Sequence, residues 1–351
     1  MRKWLLSIFT FLFMVVGCCA ITSCEKATDV QGLIYEKIEG KEEYRVVNTY
    51  MESVITHITI PETYLGLPVT EIGDYAFSDC YDLTSVVIGE NVTLIGNAAF
   101  ADCISLTSIE IPGSVTTIGY FAFQDCRSLT SVVIGDSVTT IGFAAFSGCD
   151  NLTSVKIPDS VTTIGNYAFS GCTNLTYNEY GNCKYLGTAS NPYYVLITVT
   201  NTAYSNYTIH EDTKIIIDRA FYGCARMTNI TIPDSVTTID NQAFYGCSSL
   251  TSVVIGDSVT TIGSDAFRGC WSLTSVVIGD SVTTIGQSAF YNSSILTSIY
   301  YKGTASDWSS MSINSENSNL TSATRYYYSE TQPTGSGKYW HYGENGEVVL
   351  W

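Results

Sequence analysis

Apolar positions in this chain return on a 23-residue period. The phrase that carries them reads Leu-Thr-Ser-Val-x-Ile, Gly or Pro, Asp-Ser-Val-Thr-Thr-Ile-Gly, two variable residues, Ala-Phe, two more, and Cys. In its first part, as from Leu129 to Ile134, apolar residues recur at every second position, which is strand spacing. Val132 and Ile134 are therefore predicted to point inward, and Ser131 and Val133 outward. Gly135 turns the chain, Val138 and Ile141 return to the interior, and Gly142 permits a tight or positive-φ bend. Ala145, Phe146 and Cys149 then fit a helical turn or 3-10 segment.

Nine Ala-Phe units mark the copies, at Phe77, Phe100, Phe123, Phe146, Phe169, Phe221, Phe244, Phe267 and Phe290. A lone coil of this size leaves both faces open to water, so such units are stable only when stacked. The pattern predicts a mainly β solenoid of about nine coils over residues 54–300. A parallel sheet would line one side and short helical or 3-10 turns another. At the ordinary strand spacing the array would be about 45 Å long.

The period breaks between Cys172 and Cys224. Residues 177–203 hold the extra material, and two strand-like runs flanking Thr-Ala-Ser-Asn-Pro read as a β-hairpin projecting from the array. Residues 24–53 read as an anchor linker and N-terminal cap, with strands near 32–35 and 44–47. Residues 301–351 read as a C-terminal cap with a short helix over 305–311, a last strand over 320–328, and an aromatic hairpin turning at Asn345-Gly346.

Taken whole, Leu-x-x-Val-x-Ile-Pro-x-Ser-Val-x-x-Ile-Gly-x-x-Ala-Phe-x-x-Cys resembles the repeat of the BspA-like leucine-rich repeat proteins of bacterial surfaces. The resemblance spans about residues 54–300. It implies a leucine-rich-repeat array and adhesion to host proteins or other microbes, with no ligand motif that transfers residue by residue.

The first 23 residues read as an export signal: Met1, Arg2 and Lys3, an apolar run over 4–16, then Ile21, Thr22 and Ser23 before a cysteine. That ending resembles the bacterial lipoprotein box and makes Cys24 the expected lipid anchor. Cys18 fits the box as well, and a plain secreted or uncleaved segment stays open, because the apolar run is short for a membrane span. The expected location is the bacterial envelope, on the outer-membrane surface, touching the membrane only through the lipid.

Charge narrows the partners. With 16 basic against 33 acidic residues and a formal charge of -17, nucleic acid and anionic membrane surfaces are disfavoured. The cysteines at 80, 103, 126, 149, 172, 224, 247 and 270 are tempting as metal ligands, but each coil offers one ligand in a row where zinc needs four converging. Ser293 takes the ninth slot, so small size is what the position requires. Buried thiols are expected, with disulfides between stacked coils as the alternative. Asp136, Asp159, Asp234, Asp257 and Asp280, with Glu90 in the same slot, would cap their own turns, and a calcium ladder is the sharper alternative. His57, His210 and His341 are scattered, and no nucleophile elbow or phosphate loop is present. No catalytic residue, metal or cofactor is expected.

What remains is binding. The outward strand row runs Val87, Glu110, Val133, Lys156, Thr231, Val254, Val277 and Tyr300, a mildly apolar and uncrowded face suited to an extracellular protein or glycan ligand. Tyr193 and Tyr194 in the insertion, with Trp340 and Trp351 at the end, form either a second surface or cap packing. These residues point to an adhesion or recognition protein. The alternatives are a scaffolding envelope lipoprotein, or a carbohydrate-binding accessory module using the aromatic end.

Overall fold

Equivalent residues one period apart lie beside one another in the computed structural model, which describes residues 26–28, 32–49 and 55–351. The export signal, Cys18 and Cys24 lie outside the described residues. Thr140 and Ile141 pair in parallel with Thr117 and Ile118 of the coil before, and Ser131 pairs with Ser108 on one side and Ser154 on the other. Because the register is the sequence period, each side chain stacks on its own copy. The rings of Phe77, Phe100, Phe123, Phe146 and Phe169 follow one another at 5.1 to 5.7 Å, and those of Phe221, Phe244, Phe267 and Phe290 at 4.7 to 5.2 Å.

The repeated threonines have the same origin. Thr116 sends its backbone N–H (2.8 Å) and its hydroxyl (3.2 Å) to the Thr93 carbonyl. Thr130 does the same to Thr107, at 2.9 and 3.0 Å. A β-branched residue suits the strand, and its hydroxyl adds a second donor to the preceding coil.

Of the tight or positive-φ bend expected at Gly142, the positive φ is not taken. A Cβ there would lie 2.5 Å from the Gly119 carbonyl carbon, so the residue is small because two backbones meet. The left-handed residue comes two positions later, at Ala144 with φ 51°. The same slot is left-handed in every other Ala-Phe unit, at Tyr75, Ala98, Phe121, Tyr167, Arg219, Gln242, Asp265 and Ser288. Inter-coil bonding holds this conformation: Phe121 N–H reaches Phe143 O at 2.8 Å, and Ala144 N–H reaches Asn166 O at 2.9 Å.

The insertion does not project. Strand Val195–Val199 pairs antiparallel with Cys183–Leu186 and parallel with Ile215–Ile216, so it stands in the array as a coil strand. Its faces divide the interior in two: Val195 and Ile197 join the core of the first half, Leu196 and Val199 that of the second. Apolar side chains at nearly every position of this strand force burial on both faces, which a projecting hairpin could not supply. Counting this strand, Tyr44–Thr49 and Ser312–Ile313, none of which carries an Ala-Phe unit, the solenoid has about 12 turns, against the nine expected.

Each end is closed by a different device. At the start, Leu33–Lys37 and Tyr44–Thr49 form an antiparallel pair, whose second strand joins Leu67–Ile72 in parallel. At the finish, helix Ala305–Ser310 opens with a Thr304–Asp307 capping box. Part of the expected last strand is helical instead: Ser318–Ser322 forms a turn that buries Leu320, and the strand is Thr324–Tyr328. The hairpin Tyr339–Tyr342 and Val348–Leu350 completes the sheet.

Candidate interaction surfaces

The predicted strand face is built as two pieces. Before the insertion Val87 pairs with Thr59 in a two-stranded sheet and Glu110 with Val133 in the sheet that follows, and after it Thr231, Val254, Val277 and Tyr300 pair in succession in another. After Ser154–Val155 the row stops, because the insertion replaces the next copy. In the first piece Val87 is 60% and Val133 56% exposed, and Glu110 and Lys156 are exposed too.

In the second piece the face is less open. Thr231 is exposed and Val254 and Tyr300 are half-buried, but Val277 is only 4% exposed, which corrects its place among the open positions. Lys302 crosses the intervening coil to reach Asp257, 2.7 Å away. Beyond it, Tyr300 stacks on Tyr326, and Trp340 packs edge-on against Tyr300, Tyr328 and Tyr342.

The four aromatic candidates do not form one surface. Trp340 is fully buried and donates its indole N–H to the Tyr301 carbonyl at 3.2 Å. Tyr194 is buried, its hydroxyl 2.9 Å from both the Asp159 and Val161 carbonyls, and so pins the insertion to the first half. Tyr193 is half-buried against His210. Trp351 is exposed but stacks on His341 at 3.9 Å. Cap packing claims most of these rings, because a large ring with one polar atom closes an open core end and still finds a carbonyl.

The cysteine row is a hydrogen-bond row. Cys103, Cys126, Cys149 and Cys172 each aim Sγ at the carbonyl of the phenylalanine 26 residues earlier, at 3.1 to 3.2 Å. Ser293 makes the same bond to Phe267 O at 3.4 Å. All four cysteines, with Cys183, Cys224, Cys247 and Cys270, carry free thiols. Burial pushes Cys172 and Cys270 up to about 12, so these thiols stay protonated and donate. Among the described residues, no three His, Cys, Asp or Glu side chains are grouped as a metal site. In the acidic row, Asp234 accepts the Asp257 N–H at 2.9 Å, so that carboxylate serves the next coil rather than its own turn.

One surface was not read from the sequence. At the variable slots around the Ala-Phe turns, Phe121, Phe143 and Tyr167 meet edge to edge at 5.2 and 5.6 Å. The Arg219 guanidinium lies 4.8 Å over Tyr167 and 5.3 Å over Tyr222. Tyr222 stacks on Tyr245, and Arg268 continues to Tyr291. The signal available is aromatic enrichment at three variable positions, the two before Ala-Phe and the one after it, which only the stack brings into line.

Where this ladder crosses the insertion, a cavity of about 230 Å³ opens beside Tyr167, Phe169, Tyr177, Ile197, Asp218 and Arg219. Asp218 has 4% of its side chain exposed and sits 3.9 Å from Arg219. Its Oδ1 has no hydrogen-bond partner, and burial pushes its carboxyl up to about 6 despite Arg219.

The signature of the BspA type leucine rich repeat region matches residues 47–189 and 199–324 in six copies. The chain belongs to this family. Its members are typically bacterial cell-surface proteins, and repeat solenoids of this kind are typically non-enzymatic. Among the described residues, no helix is long and apolar enough to cross a membrane. A leucine rich cell surface protein of Faecalibacterium prausnitzii is 28% identical, covering 83% of this chain and 98% of its own, with a TM-score of 0.35. The leucine rich repeat protein of T. pallidum is 23% identical over 70% of this chain and 90% of its own, with a TM-score of 0.41. The pneumococcal vaccine antigen PcpA is 18% identical over 87% and 94%, with a TM-score of 0.37. No curated protein matches the chain.

Proposed function

We propose that this protein is a lipid-anchored cell-surface recognition protein that holds a protein ligand against the strand face of its first half. The observation that carries the reading is the contrast between equivalent valines. Val87 and Val133 stand 60% and 56% exposed, while Val277, in the same slot of the second half, is 4% exposed. Glu110 and Lys156 flank the open valines and would set orientation. In this reading Cys24 bears the lipid, binding is by contact area, and no chemistry is performed. Burial of Trp340 counts against a carbohydrate module at the aromatic end.

The test uses the full chain in detergent, screened against host-matrix proteins and whole microbial cells beside the folded double variant Val87→Asp/Val133→Asp. Saturable binding that the variant loses supports the reading. Uniformly negative results, or binding that survives in the variant, would overturn it. Labelling of intact cells with a membrane-impermeant reagent tests exposure, since a protein facing the periplasm would stay unlabelled.

A further inference from the structure

The ring stack of the first half ends at Phe169, because the insertion stands where the next Ala-Phe turn would be. Phe169 is accordingly 6% exposed, where Phe100, Phe123 and Phe146 are fully buried. The space left is the cavity of about 230 Å³, with Phe169, Tyr167 and Tyr177 as aromatic walls and Ile197 behind. One strong acceptor borders it. Asp218 is more than nine-tenths buried, yet its Oδ1 has no donor, a condition that is costly unless something supplies one.

We propose that this cavity takes one pyranose unit of a neutral glycan. A sugar hydroxyl donates to Asp218, the C–H face of the ring lies on the aromatic wall, and flanking units follow the ladder over Tyr222 and Tyr245. Charge selects the class. Asp218 and Arg219 lie side by side with opposite charges, so the cavity offers no net charge to hold either an acidic or an ammonium-bearing sugar. Arg219 is itself held by Gln242 at 2.8 Å and by Tyr167, so it serves as a fixed rim. Volume fits a single ring with substituents, being larger than a cavity that holds benzene, about 150 Å³. The inference shares with the recognition reading only the array as scaffold. Its site lies on the side that carries the Ala-Phe turns, and its ligand is of another class.

The experiment is calorimetry and saturation-transfer NMR on the full chain in detergent, with methyl glucoside, methyl galactoside, methyl mannoside, N-acetylglucosamine and their short neutral oligomers. At least one should bind saturably, with affinity about tenfold lower in Asp218→Asn. Ser170→Trp, at an exposed position on the cavity rim, should abolish binding without touching the core. Val87→Asp/Val133→Asp should leave it unchanged. Absence of binding by every probe, or equal affinity in the folded Asp218→Asn and Ser170→Trp chains, overturns the proposal. Glycan binding without any protein ligand would sink the strand-face reading alone, and the reverse outcome would sink only this one.

Discussion

Asn317 Oδ1 accepts the Phe290 backbone N–H at 3.0 Å. In earlier coils that N–H goes to the next coil's alanine carbonyl, as from Phe267 to Ala289 at 2.7 Å. Asn317 therefore stands in for a coil that does not exist, and its amide also donates to Gly286 O at 2.8 Å and Asn314 O at 2.9 Å. Asn317→Ala leaves these buried groups unpaired and should cost about 2 to 3 kcal/mol. Because coils are coupled mainly to neighbours, the loss should be local. Hydrogen exchange should show the amides near Phe290 opening faster while those near Phe123 hold. Uniform acceleration along the array would contradict this account of the end.

Gly142 of the phrase and Gly113, which stands in the slot other coils give to Asp, should respond differently to the same change. At Gly142 an added methyl meets the Gly119 backbone at 2.5 Å, so Gly142→Ala should cost about 3 kcal/mol. At Gly113 nothing lies within 4 Å, so Gly113→Ala should stay within about 0.5 kcal/mol of wild type. Ala144→Gly relieves a left-handed residue and should be neutral or slightly stabilising, with denaturant midpoints as the measure. If Ala144→Gly destabilised as much as Gly142→Ala, the division of roles between these positions would be wrong.

Ser293 already makes the thiol-row bond, at 3.4 Å to Phe267 O. Ser293→Cys fills the slot with the larger group the other coils use and should raise stability by about 1 kcal/mol. The thiols should also be inert: with Cys172 and Cys270 pushed up to about 12, iodoacetamide near neutral pH should modify them only after unfolding. Rapid alkylation of Cys149 in the folded chain would refute the burial argument.

The period made the stack legible, since Phe146 can only repeat in space as it repeats in sequence if coils are in register. Inward Val132 and Ile134 and outward Val133 followed from strand spacing. What escaped was whatever depends on the neighbour. Gly142 is set by the coil before it, and Val277 is buried where it lies between Val254 and Tyr300, although its strand spacing marks it as outward. The insertion reads as a projecting hairpin because the apolar strand Val195–Val199 is compatible with one in isolation, and only the two cores on either side require it as a wall. Asp218 carries no signal in the sequence, because a single acid has no spacing to single it out.

That same acid makes stability depend on pH in a direction opposite to the usual paired carboxylate. Burial is the main cause holding Asp218 at about 6, Asp240 adds repulsion, and Arg219 opposes both. Asp240 is itself raised to about 6 by burial, against the Asn241 N–H that donates to it at 2.7 Å. An aspartate whose folded pKa lies above its unfolded value favours the fold fully below about 3.9, and loses that contribution as pH rises through about 6. Asp218→Asn mimics the protonated form, so it should raise the melting temperature at pH 7. Its advantage should shrink as pH falls through about 6, and vanish near pH 4, where wild type is protonated in the fold. Thermal melts of both chains across that range check the sign. An advantage that grew on acidification would mean that Asp218 is held ionised by a partner, and that the cavity beside it does not present an unmet acceptor.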